Sequence, residues 1–295
     1  MSDHHKHDSS SNQIGVVFFL NFGFTIIEFV GGILTNSTAI MADAVHDLGD
    51  TLTIGMAWIL SCLSQKNPDD KFTYGYHRFS LLGALLNGAV LIAGSIWVLS
   101  ESLPNLIDPK MPNAIGMLWL ALLGVIVNGY AAWKLIKGKT LNEQVLSWHL
   151  IEDVLGWVSV LIVSVMLMFF DWPILDPLLS IVFTLFILIN VFKNTRQTLK
   201  IFLQSSPDNV VLDEVRHKLM SINQVNQIHH LHLWSLDGER HVLTAHLKVN
   251  EIMTVEEQKK IKKQVGELLS DFAFVYTTIE LEFADEICRD ENFSG

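Results

Sequence analysis

The chain has 295 residues, room for one or two domains, and half of them are hydrophobic against 17% charged. With a mean hydropathy of +0.35 this is too apolar for a soluble protein of that length, and several membrane spans are expected. The net charge of −11 gathers late, sixteen acidic residues against nine basic from Ser205 onward, which argues against a nucleic-acid partner and suits a domain that meets cations.

Residues 1–12 form a polar stretch with His4, His5 and His7, expected to be a disordered tail; incidental and functional metal gathering stay open. No secretory leader pattern is expected there, because the first apolar run is long enough to span. Six apolar segments follow, near 14–35, 38–63, 79–103, 113–136, 143–170 and 174–198, each near the roughly 20 residues that cross a hydrocarbon core. Turn chemistry separates them: Asn36 and Ser37, the polar loop 66–71, Pro104, Pro109 and Pro112, Gly138, and Pro173. Lys66, Lys71 and Arg78 follow segment two, Lys134, Lys137 and Lys139 cluster at the end of segment four, and Lys193, Arg196 and Lys200 at the end of segment six. The opposite loops are nearly free of Lys and Arg, so both termini are expected in the cytoplasm. Cys62 reads as a small buried hydrophobe and Cys288 as a spare thiol, with a metal contact as the lesser alternative.

From Pro207 the pattern is that of a soluble domain. An amphipathic helix is expected over 210–222 and strands over 227–236 and 241–249, joined at Asp237 and Gly238. A helix capped by Thr254 and Glu257 runs over 254–272, and a third strand over 277–283. The order α-β-β-α-β predicts a small α+β domain with helices on one sheet face. The fold class is thus an all-α, six-helix transmembrane bundle (13–204) followed by an α+β C-terminal domain (205–285) and a short tail (286–295).

Two segments carry the chemistry. His46 and Asp50 are four residues apart in segment two, and His149 and Asp153 repeat that spacing in segment five. Positions four apart share a helix face. Two such helices facing each other would make a His2Asp2 cluster suited to a tetrahedral divalent ion, zinc above all. Asp43 and Asp47 fall on the same face of segment two as His46 and Asp50, within about 100° of arc, and read as orienting or pathway groups. Ionised groups at that depth demand a partner helix or a wet cavity. Glu28, Asn21, Asn87 and Asn128 read as interhelical hydrogen-bonding groups, and Glu152 as a pathway or an interfacial one.

These residues carry a family resemblance. The run NSTAIMADAVHDLGD at 36–50 resembles the second-helix signature of the cation diffusion facilitator family, in its zinc-transporting branch, and HLIED at 149–153 fits its fifth helix. FTYGYHR at 72–78, HHLHLWS at 229–235 and TAHLKV at 244–249 resemble the loop before the third helix and the cytoplasmic domain. The resemblance implies a homodimeric exporter of zinc from the cytosol in exchange for protons, with zinc as substrate and regulatory ion, multi-pass in a lipid bilayer; two cysteines and short loops fit a bacterial inner membrane. It implies a metallochaperone-like C-terminal domain; an intramembrane metalloenzyme is not expected, since the chain has no His-Glu-x-x-His and four ligands would leave no open position for water. His46, Asp50, His149 and Asp153 match the transport-site ligands, and His229 and His246, with Glu282, match cytoplasmic ligands. Strand alternation would keep His230 and His232 from both joining His229 without a bulge. Arg78 and Asp208 resemble an ion pair between the third helix and the soluble domain. A loop metal site of some members would map to Asp69, Phe72 and Tyr76, two of which are poor ligands, so that site is expected to be absent or weak. A manganese, iron or cobalt exporter of the same family, and a metal-gated channel or sensor, remain alternatives.

Overall fold

A computed structural model describes residues 4–63, 68–136, 141–207, 209–250 and 253–290, without the side chains of 4–14, 16–17, 57, 60–62, 134–136, 141–150 and 209–211. Cys62 and His149 therefore have no described side chain, and Asp208 lies outside the described residues.

Six long helices come first: α1 (His4–Thr35), α2 (Thr38–Leu63), α3 (Phe79–Ile107), α4 (Ala114–Ile136), α5 (Leu141–Phe169) and α6 (Leu175–Phe202). Among the described residues, parts of five are long and apolar enough to cross a membrane. The exception, α2, has the length, at 26 residues, but carries Asp43, Asp47 and Asp50. Large apolar side chains such as Phe19, Leu34, Trp119, Ile126, Phe186 and Phe192 stand exposed on these helices, as a hydrocarbon solvent requires.

Two boundaries correct the expectation. Helix α1 begins at His4, inside the stretch expected to be a disordered tail; adding residues to an existing helix costs far less than nucleating one. Helix α3 passes through Pro104, which was expected to stop it, and closes one more turn with Asp108 N donating to Pro104 O at 3.0 Å. Proline removes a single donor, and so close to a helix end that loss is tolerable.

The core of the helical unit is built around α2. Ala39 and Ile40 pack with Met117 and Ala121 of α4 and with Trp157 and Val160 of α5, while Ala42 and Val45 pack with Leu91 and Val98 of α3 and Val191 of α6. Gly124 lets α4 and α5 meet, since a Cβ there would lie 2.2 Å from the Trp157 ring. The start of α2 is held by Asp176 of α6, which accepts from Thr38 N at 2.7 Å, Thr38 Oγ1 at 2.9 Å, Ala39 N at 3.3 Å and the Ser37 hydroxyl. The otherwise unpaired N–H groups of a helix start thus meet a carboxylate, which the helix dipole also favours.

The second compact unit joins Arg196–Gly295 to the loop Lys66–Leu82. The boundary expected at 204 and 205 left that loop with the helices. Its aromatic and basic residues place it instead: the Tyr74 ring lies 5.6 Å from Trp234 and 5.0 Å from Tyr276, and Arg78 Nη2 donates to Phe202 O at 2.7 Å. Here α7 (Asn209–Met220), β1 (Val225–Ser235), β2 (His241–Val249), α8 (Val255–Leu268) and β3 (Phe274–Glu282) follow the expected α-β-β-α-β order. Strand β2 is central, antiparallel to β1 and parallel to β3. Val215 and Leu219 of α7 and Ile261 and Val265 of α8 close over Leu243, Ala245 and Leu247 of β2. The capping box stands as expected, with Glu257 N donating to the Thr254 hydroxyl and Thr254 N to the Glu257 carboxylate.

Candidate functional site

Helices α2 and α5 bring their polar turns together. His46 Nε2 lies 3.8 Å from Asp50 Oδ2 and 3.7 Å from Asp153 Oδ1. One ligand atom from each of the three residues falls within 4.8 Å of the others. On a tetrahedral zinc with bonds of about 2.0–2.1 Å, neighbouring N and O ligands stand roughly 3.3 Å apart, so these gaps need only a slight contraction. His149 lies in α5 four residues before Asp153, with its side chain outside the described residues.

A cavity of about 440 Å³ opens on this cluster, lined by Asp43, His46, Asp50, Asn87, Glu152 and Asp153. Asp43 is buried and its Oδ2 has no hydrogen-bond partner among the described residues. Asp47 does not line the cavity; it is buried on the side of α2 that meets Glu28 of α1. The two carboxylates paired in the sequence reading thus have different surroundings. Glu152, left open between pathway and interface, lines the cavity, and Asn87 donates to Thr53 Oγ1 at 2.9 Å across α3 and α2. Asn190 and Asn194 of α6 also line it and were missed. Their signal is partial: the amides stand one helical turn apart, Asn190 at the end of an apolar run and Asn194 beside Lys193 and Arg196.

The second cluster sits on the small sheet. His229 of β1 and His246 of β2 are direct cross-strand partners. Glu282, at the end of β3, reaches both: its Oε2 is 2.7 Å from His229 Nε2 and its Oε1 is 2.7 Å from His246 Nδ1. Burial opposes the charge on Glu282, but hydrogen bonds from Cys288, His246 and His229 win, holding its carboxyl below the ordinary value. Between His229 and His232 the strand carries a bulge, with His230 at φ 47°, and the His230 ring comes 5.0 Å from that of His246. Simple alternation excluded this; an extra residue in one strand re-aims a side chain. Of the two readings of Cys288, spare thiol or metal contact, the structure favours the second: its Sγ is 3.6 Å from His246 Nδ1, and one ligand atom from each of Cys288, His229, His246 and Glu282 lies within 4.8 Å of the others.

In the loop of the same unit, Asp69 Oδ1 accepts from Lys71 N and Phe72 N at 3.0 and 2.7 Å, and Oδ2 accepts from the Tyr76 hydroxyl at 2.6 Å. Burial and the neighbouring Arg240 lower the His77 pKa, and Arg240 Nη1 donates to His77 Nε2 at 2.9 Å. The Arg78 guanidinium lies over the Phe202 and Trp234 rings; its expected partner, Asp208, is outside the described residues.

Residues 14–203 match the model of the cation efflux transmembrane domain, and 207–283 that of the cation efflux protein cytoplasmic domain. The chain belongs to the cation efflux family. It is similar to a cadmium, cobalt and zinc/H(+)-K(+) antiporter of Bacillus subtilis, 30% identical over 284 residues that cover 94% of this chain and 91% of the relative. It is also similar to the zinc transporter ZitB of Yersinia pseudotuberculosis, 29% identical over 94% of this chain and 89% of that one. The metal cation efflux system protein CzcD of Cupriavidus metallidurans is 29% identical over 95% and 90%. Membership in this family makes the protein a multi-pass membrane transporter, not an enzyme.

Proposed function

We propose that this member of the cation efflux family exports Zn2+ from the cytoplasm in exchange for protons, with Cd2+ and Co2+ as further substrates. The observation that carries it is the approach of His46 and Asp50 on α2 to Asp153 on α5 in the wall of a cavity among apolar helices. The relatives named for zinc, cadmium and cobalt support the substrate class, and one is named as an antiporter with protons. In this reading His149 completes a His2Asp2 site. Such a site binds a dication only with imidazoles neutral and carboxylates ionised, so protons and metal compete for the same atoms. Protons entering from the far side then help discharge the cargo, and the helices need only alternate which side has access. Four N and O ligands suit zinc better than Mg2+ or Ca2+, which favour more oxygens.

Asp43 and Glu152 are assigned to the entry path, and Asp47 to holding the α2 side of the site. Both termini are assigned to the cytoplasm, on the loop charges. The protein is read as a homodimer through its C-terminal domain, where His229, His246 and Glu282 bind a regulatory zinc. The donor chemistry fits: two imidazoles and a carboxylate already converge on one point. The deciding experiment measures zinc and proton movement together in reconstituted vesicles. Zinc uptake driven by an imposed pH gradient, with matching proton release, is the expected result; flux indifferent to that gradient would point to a channel instead.

A further inference from the structure

The cytoplasmic cluster has three donors on strands, and three protein donors leave a bound dication open to water. Beyond Glu282 the chain turns back on itself. Phe283 N donates to Glu286 Oε2 at 2.8 Å and Glu286 N to Phe283 O at 3.0 Å. Arg289 Nη2 then donates to Glu280 Oε2 at 2.7 Å, which fixes the returning segment against β3. Between these two ties lies Cys288. Its Sγ and one donor atom from each of His229, His246 and Glu282 all lie within 4.8 Å of one another, beside a His246 that is 9% exposed and a Glu282 that is 5% exposed. On a tetrahedral zinc, with Zn–S about 2.3 Å and Zn–N about 2.05 Å, sulfur and nitrogen stand roughly 3.6 Å apart. The distance from Cys288 Sγ to His246 Nδ1 is 3.6 Å.

We propose that Cys288 is the fourth ligand of this site, making it a closed thiolate, two-imidazole and carboxylate centre that fastens residues 283–290 across the sheet when loaded. This rests on the reading that His229, His246 and Glu282 bind metal. On loading, the thiol proton leaves to solvent and a sulfur–metal bond forms. A thiolate shifts preference toward soft dications, so the site takes zinc and cadmium and rejects magnesium and manganese. The transport site offers only nitrogen and oxygen donors, and the two sites would therefore rank cadmium differently.

The test uses the full chain in detergent, with Asp50→Ala and Asp153→Ala silencing the membrane site and Cys62→Ser leaving a single thiol. Cobalt is titrated in and the absorption spectrum recorded. Tetrahedral d–d bands with a sulfur-to-cobalt charge-transfer band are expected. Cys288→Ser should abolish the charge-transfer band and weaken cobalt binding by about tenfold or more. Zinc should also slow alkylation of Cys288, and His246→Ala should remove that protection. Cobalt bands without charge transfer, unchanged by Cys288→Ser, would overturn the thiolate ligand while leaving the three-donor reading intact. No cobalt bands, with alkylation indifferent to zinc, would overturn both.

Discussion

Between His46 Nε2 and the carboxylates of Asp50 and Asp153 there are gaps of 3.8 and 3.7 Å, wide for a hydrogen bond and close to the span of two ligands on one ion. Removing either carboxylate should therefore stop transport without unfolding the protein. Asp50→Ala and Asp153→Ala are each expected to lower zinc flux at least about a hundredfold in vesicles, with helical circular dichroism unchanged. His46→Asp keeps an anionic ligand but exchanges nitrogen for oxygen, and should relax selectivity toward harder ions; metal-resolved uptake reads this directly. Of the four expected positions the structure brings three together, His46, Asp50 and Asp153, and these stand out in the sequence because ionisable side chains are costly inside an apolar run; the His149 side chain lies outside the described residues. For Cys288 the sequence offers a metal contact only as the lesser alternative, since its place depends on a turn at 283–286 and on Arg289 reaching Glu280. His77 gives a pH test. Burial and Arg240 lower its pKa in the folded chain, so as pH falls below the unfolded value of about 6.5 the unfolded state takes up more protons than the folded one. The stability that this contact adds is complete above that pH and drains away as pH falls toward the lowered folded value. Proteolysis of the 66–82 loop should accelerate over that range, and His77→Gln, which still offers an acceptor, should flatten the dependence.

At the scale of elements, α2 departs most from simple membrane rules. Its three aspartates make it a poor span alone, yet its length and its neighbours carry it. Periodicity foresaw the helix because the polar residues occupy one face. It did not foresee what holds the helix start, for Asp176 lies 138 residues from Thr38 and reads locally as the opening turn of α6. Asp176→Ala strips a charged acceptor from several donors and should cost about 1.5–3 kcal/mol, read as a lower thermal midpoint in detergent, whereas Asp176→Asn should recover part of the loss. The run through Pro104 was hidden for a related reason, because proline weakens a helix without always ending it. Likewise the bulge in β1 has no local signature; it follows from pairing, and it turns a strand with alternating faces into one that gathers His229 and His230 around His246.

For the whole molecule, composition separates an apolar first part from an acidic last third, and the chain divides into two compact units. The membership of residues 66–82 was out of reach, since Tyr74 meets Trp234 and Tyr276 only after the sheet has formed. If zinc on the C-terminal domain neutralises acidic surfaces between protomers, dimer affinity should rise when it is added. That gain should vanish in His246→Ala, and analytical ultracentrifugation with and without zinc would read it; equal responses would refute the regulatory role.

Helix α2 has divided loyalties. Within two turns it belongs to one packed set with α4 and α5 and to another with α3 and α6, and α6 also touches the first set through Leu175 and Leu179. Were these sets to part, α2 could stay with only one, and the cargo's grip, split between α2 and α5, would open or close with that choice. Tethering α2 to α5 and then to α3 should stall turnover in one case and spare it in the other, showing which set acts as the moving wall.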